Sequence, residues 1–240
     1  MADFSAAKTY ALFSTSANKK IIREIKTSGA DFVLFPPIQT EAAEPNSAER
    51  ILQNLSIYDW LIFEDVFTVE FFLRKFEESK IDFFDLDNLL ICACGETVAD
   101  HLRFSQVHTD IITNSVKIED VYAAIKDYLI VEKEFENLSF LILKEETARS
   151  GLGELLSARS AQVAVLPVYR VKIDDSGELP KHKALLKGGA IDEFIFTSPA
   201  DVLNLSHLFP AESLTDLLGE IKISATDNIT RQALEEFRLI

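Results

Sequence analysis

Four groups of residues could do chemistry by type and spacing. Cys92 and Cys94 lie two apart in an apolar run, where a strand points both side chains to one face. A metal centre would need further ligands at suitable spacing, and His101, His108, His182 and His207 form no paired motif. The two thiols are therefore expected as buried structural cysteines, with no metal and no disulfide framework. Glu64-Asp65 closes another apolar run and has the look of a phosphoacceptor pair. A phosphorelay receiver also needs an acidic cluster after its first strand, and Leu12-Phe13-Ser14-Thr15 supplies none. Gly151-Leu152-Gly153 lacks the third glycine and the preceding strand of a dinucleotide loop. That leaves Thr197-Ser198-Pro199, two hydroxyls ahead of a proline that can start a helix. Hydroxyls and helix N–H groups at such a turn can bind a ligand, and Ser198 there is equally a good helix cap.

The elements that must position these groups follow from the hydrophobic pattern. Strands are expected over 9–13, 31–35, 59–63, 89–93, 140–143, 162–166, 191–196 and 221–224. Between them, helices are expected over 17–28, 68–79, from 98 to at least 103, and over 116–131, 152–160, 199–209 and 230–238. Gly29 closes the first of these helices. Strand and helix alternate, which argues for parallel sheets covered by helices on both faces. Thr197 and Ser198 then stand at the carboxyl end of a strand, where open α/β sheets place their ligands.

The sequence also matches itself. Asp59-Trp-Leu-Ile-Phe63 parallels Asp192-Glu-Phe-Ile-Phe196, and Thr97 parallels Thr230 at the same separation. A second pair, Gly29 to Pro36 against Ser160 to Pro167, reads in both copies as helix exit, strand and proline. The expected fold is therefore α/β, with two parallel-sheet three-layer domains related by internal duplication and joined by a double crossover linker. Residues 1–36 with 171–240 form a discontinuous domain, residues 37–170 an inserted one, and ligands are expected in the cleft between them.

A chain of 240 residues is long enough for two ordinary domains. Its formal net charge of -15 repels a phosphate backbone or an anionic lipid surface, so no nucleic-acid or membrane partner is expected. Met1 to Lys8 lacks a basic start leading into an apolar stretch, and no apolar run approaches the ~20 residues of a membrane span. A cytoplasmic monomer is the expectation.

The ordered motifs resemble the uroporphyrinogen-III synthase family along nearly the whole chain. Asp192 to Ser198, continued by Pro199 to Asn204, is similar to that family's Phe-Thr-Ser-Pro strand end and helix, and Leu166-Pro-Val-Tyr-Arg170 to its return segment. Cys94-Gly95-Glu-Thr97 is similar to its Gly-x-x-Thr-like turn. Three places depart from the pattern. Glu64-Asp65 stands where Thr-Ser is usual, Ala225 to Thr230 lacks the Ile-Gly-Pro approach, and Ser14-Thr-Ser16 offers no arginine, with Lys19 and Lys20 only a turn later.

The resemblance implies a cofactor-free reaction on hydroxymethylbilane, a linear tetrapyrrole rich in carboxylates. The substrate loses its hydroxyl, closes into a ring and inverts its last pyrrole through a spiro intermediate. Catalysis would consist mostly of folding the substrate so that the inverted product wins. By that resemblance Tyr169 assists departure of the hydroxyl, and Thr97, Thr197, Ser198, Thr230 and Arg170 bind substrate, with Lys144 and Lys172 as further possible cations. Glu64 and Asp65 would repel an anionic ligand. The alternative reading is a diverged, non-catalytic member of the same fold that binds a ligand or a partner.

Overall fold

A computed structural model of the chain describes residues 4–79, 81–129, 132–173 and 177–240. The last two residues of the helix expected over 116–131 and the first three of the N-terminus lie outside the described residues. The chain divides into two compact units, residues 1–39 with 172–240 and residues 40–171.

The first unit is built on a four-stranded sheet of β1 (Thr9–Phe13), β2 (Asp31–Phe35), β9 (Glu193–Phe196) and β10 (Lys222–Ala225), in the order β10-β9-β1-β2. Its pairings are all parallel. Side chains alternate across these strands. Ala11, Phe13, Phe35, Phe194 and Phe196 face one core with Val202 and Leu205, while Tyr10, Leu12 and Ile195 face a second with Ile25. The phenylalanines touch one another, with ring centres 5.8 Å apart for Phe13 and Phe194 and 5.2 Å for Phe35 and Phe194.

Helices of this unit are α1 (Lys19–Ser28), α7 (Leu179–Lys187), α8 (Pro199–Leu208), α9 (Leu214–Leu218) and α10 (Asn228–Glu236). Gly29 ends α1 at φ 75°, the left-handed conformation that glycine adopts without a Cβ clash.

The second unit holds a six-stranded sheet, ordered β3-β8-β7-β4-β5-β6. Its strands are β3 (Gln39–Ala42), β4 (Trp60–Phe63), β5 (Leu90–Ala93), β6 (Ile111–Ile112), β7 (Ser139–Glu145) and β8 (Gln162–Lys172). The pairings β4–β5, β4–β7, β5–β6 and β7–β8 are parallel. Helices α2 (Ala48–Leu52), α3 (Val66–Glu78), α4 (Glu96–Phe104), α5 (Ile118–Leu129) and α6 (Gly151–Ser157) connect the strands. Trp60, Ile62, Cys92, Cys94, Phe140, Ile142 and Leu156 share one buried cluster, so both thiols do lie on one face of the sheet.

Several expected boundaries move. The helix expected from residue 68 begins at Val66, because Asp65 accepts the Thr68 N–H at 2.8 Å and the Asp65 N–H reaches the Thr68 hydroxyl at 3.2 Å. The strand expected to stop at Leu166 runs through Pro167 to Lys172. Proline offers no N–H to a ladder, and the register slips beside it, Lys144 pairing with Pro167 and Glu145 with Tyr169. Elements β3, α2, β6, α7 and α9 have no counterpart among the expected ones.

Candidate functional site

The two sheets share one arrangement at their strand starts. In each, an aspartate precedes a central strand and ties the neighbouring strand's start. The Asp192 carboxylate accepts the Thr9 N–H at 2.8 Å, and the Asp59 carboxylate accepts the Ser139 N–H at 2.7 Å. Their backbones match as well: Asp192 N–H donates to Thr9 O and Asp59 N–H to Ser139 O, while Lys222 and Leu90 donate to the two aspartate carbonyls. The recurring Asp-x-x-Ile-Phe pattern is thus a strand-start clamp.

At the other end of these strands lie the candidate functional groups. In the first unit, β9 runs into Thr197-Ser198 and then α8. Ser198 is extended at φ −157° and makes no side-chain bond to the helix N–H groups, so the expected serine cap is absent. Instead Asp201, buried, reaches back to take the Thr197 N–H and the Thr197 hydroxyl, each at 2.8 Å. Burial pushes the Asp201 carboxyl above its usual range, and the Thr197 and Ser198 donors oppose that rise.

The second unit uses the same turn with the partners exchanged. Asp65 caps α3 and Thr68 sits three residues on; in α8 the hydroxyl residue Ser198 leads and Asp201 sits three residues on. Of the two carboxylates expected in place of hydroxyls, Asp65 thus belongs to an acid–hydroxyl pair whose order is reversed. Asp65 also accepts the Tyr169 hydroxyl at 2.7 Å. Burial lifts Asp65 to about 6, with the Tyr169, Thr68 and Phe67 donors pulling it down and Glu145 pushing it up. Burial first, and then Asp65, raise Tyr169 above the phenol's ordinary value.

Tyr169 is fully buried and its ring packs against Phe67 and Phe71. Its one proton is directed at Asp65. Glu64, half-buried, is pushed up to about 7, first by burial and then by Asp65, against the pull of the Lys144 ammonium. Near neutral pH it therefore carries a proton for a fraction of the time, which weakens the repulsion expected toward an anionic ligand.

The remaining expected residues fall in three settings. Thr97 is the second residue of α4 and Thr230 the third of α10, so the two threonines sit one helical position out of step despite their equal separation. Both are buried. The N-cap of α10 is Asp227, which accepts the Thr230 N–H at 2.7 Å; burial pushes its carboxyl up, but the Thr230, Thr226 and Ile229 donors together outweigh it and hold Asp227 below the usual carboxylate range. Where the glycine pattern is lost, the helix thus carries its own anion. Gly95, at the N-cap of α4, has φ 105° and makes no side-chain cap of its own. Arg170 is half exposed and its Nε donates to Glu41, so this cation already faces a carboxylate. Among the described residues no group of three or more His, Cys, Asp or Glu side chains could hold a metal ion, and no helix is long and apolar enough to cross a membrane.

Sequence reading missed Asp201 and Glu145, although the spacing Ser198-x-x-Asp201 is a recognisable box. Glu145, buried at the end of β7, takes the Thr147 and Ala148 N–H groups at 2.7 Å each and the Thr147 hydroxyl at 2.8 Å. Nothing in its surroundings in the chain marks it out.

The family model described as uroporphyrinogen-III synthase HemD matches residues 19–239. The uroporphyrinogen-III synthase of Chlorobaculum parvum is 25% identical over 218 residues, covering 90% of this chain and 83% of that protein. Among solved structures, the uroporphyrinogen III synthase of Thermus thermophilus aligns with a TM-score of 0.61 at 18% identity, over 95% of this chain and 90% of that one. A second crystal form of the wild-type Thermus enzyme gives 0.64 at 19%, over 95% and 88%. The solved structures carry the α/β fold with parallel sheets, and the match over residues 19–239 carries the family: the chain is a member of the uroporphyrinogen-III synthase family.

Proposed function

We propose that the chain converts hydroxymethylbilane to uroporphyrinogen III, with loss of the hydroxyl as water, ring closure and inversion of the last pyrrole, and without a cofactor. The observation that carries this reading is the family match over residues 19–239, which takes in all the turns described above. These turns follow β4, β5, β9 and β10, and they bring hydroxyls and helix N-termini to the carboxyl ends of parallel strands.

In this proposal the glycine turn that starts α4 brings Thr97 and the helix N-terminus to a substrate carboxylate. Thr197, Ser198 and Thr230 shape the turns of the first unit, and Arg170 exchanges Glu41 for a substrate carboxylate. Tyr169 acts through Asp65, fixing the carboxyl that closes the β4 turn. We also propose that the matching strand orders and aspartate clamps descend from an internal duplication, with domains of residues 1–36 plus 171–240 and 37–170 joined by a double crossover.

The test generates hydroxymethylbilane in place and reads the ratio of type III to type I uroporphyrinogen by chromatography after oxidation. Type III in excess is the expected result. Type I alone, the product of uncatalysed closure, would leave a family member that binds a ligand or a partner without this catalysis. The carboxylates Glu64 and Asp65 at the turn after β4 and Asp227 at the turn after β10 are the features that favour that second reading.

A further inference from the structure

Lys144 is 5% exposed, yet among the described residues its ammonium has no hydrogen bond and no close ion pair. It stands at the carboxyl end of β7, on the face that carries Phe140 and Ile142, and its charge acts on Glu64. Phe63, the last residue of β4, pairs with Leu143 in the parallel ladder, and Glu64 and Lys144 each follow one of that pair in the chain. The stem of the side chain is buried, but its nitrogen is not among the fully enclosed unpartnered polar atoms, so the ammonium remains open to an arriving anion. The Glu64 carboxyl likewise accepts no hydrogen bond among the described residues, whereas its counterpart Thr197 is held by Asp201. The neighbouring Tyr169 has its proton committed to Asp65.

We propose that Glu64 and Lys144 work as one unit, in which the Lys144 ammonium takes a carboxylate of the substrate and Glu64 beside it gives its proton to the departing hydroxyl. This rests on the synthase reading. The carbon–oxygen bond of the hydroxymethyl group breaks, its electron pair leaves with oxygen, and the Glu64 proton completes a water molecule. The adjoining pyrrole nitrogen supplies electrons to the exposed carbon. The proton released when the attacked ring regains aromaticity restores Glu64, so one water leaves per turnover and no other reactant is required. The ionisable groups facing Glu64 are Asp65 from the start of α3, Lys144 from β7, Cys94 after β5 and Tyr169 from β8. A carboxylate on Lys144 cancels the one cation among them and so favours the protonated, reactive form of Glu64.

The experiment compares wild type with Glu64→Gln, Glu64→Thr and Lys144→Met in the coupled assay, taking kcat and KM between about pH 5.5 and about 9. Wild-type kcat should fall as pH rises through about 7, because the acid form of Glu64 is then lost. Glu64→Gln should lower kcat by about 100-fold or more, leave KM within a few-fold and flatten that limb. Lys144→Met should raise KM roughly tenfold and move the limb to higher pH, because the Lys144 charge no longer pulls Glu64 down. Wild-type kcat in Glu64→Thr, an unchanged pH limb in Glu64→Gln, or an unchanged KM in Lys144→Met each overturns the proposal while wild type still makes type III. A wild-type chain that makes only type I removes the synthase reading and this one together.

Discussion

Glu64 puts the energetics of the strand-end turn within reach of one substitution. Its folded value of about 7 lies above the ordinary glutamate value of 4.5, so folding favours its neutral form. The stability this gives is complete below about pH 4.5 and is lost as pH rises through about 7. Integrated over that shift, the loss is on the order of 3 kcal/mol. Glu64→Gln cannot lose a proton, so its stability relative to wild type should rise between pH 5 and pH 8. Urea unfolding at the two pH values measures this, and equal slopes for both proteins would contradict it. The acid–hydroxyl spacings that build these turns, Asp65-x-x-Thr68 and Ser198-x-x-Asp201, are visible in the sequence. What the sequence hides is that Asp65 also meets Tyr169, 104 residues away, because that contact exists only once β4 and β8 flank β7.

Among the elements, the aspartate clamps set the register. A central strand in either unit must align with the strands on both sides, and one residue at its start bonds to both neighbours. The side-chain bonds from Asp192 and Asp59 lie at exposed strand starts, where a hydrogen bond contributes about 1 kcal/mol. Asp59→Ala and Asp192→Ala should each cost about that much, and the double variant about the sum, since the sites share no partner. Thermal unfolding reads the result; an unchanged midpoint in either single variant would leave that clamp without a role in stability. The repeat is legible because a clamp and an apolar strand lie close together in sequence. The missed elements lack such signals: β6 has two residues, β3 reads Gln-Thr-Glu-Ala without an apolar alternation, and α7 opens on Pro180 and a lysine-rich run with few apolar residues. Pro167 reads as a strand end, although a bulge beside it lets the strand continue.

At the scale of the molecule, each unit carries its own core. Phe13, Phe35, Phe194 and Phe196 pack within the first, and Trp60, Phe135 and Phe140 within the second. The single tryptophan of the chain, Trp60, is fully buried in the second unit and stacks at 5.8 Å from Phe140, so its fluorescence reports that unit alone. Phe194 contacts Phe13, Phe35 and Phe196, and truncation to alanine removes ring contacts from a site with no exposed surface. Phe194→Ala should destabilise the first unit by about 3–5 kcal/mol. If each core holds its own unit, the far-ultraviolet circular dichroism transition of the variant should split or move to lower denaturant while the Trp60 fluorescence midpoint stays within error of wild type. Coincident shifts in both signals would mean that the units unfold as one cooperative body, and that loss of packing behind β9 is felt in the second unit, at the carboxyl ends of β4 and β7 where Glu64 and Lys144 lie.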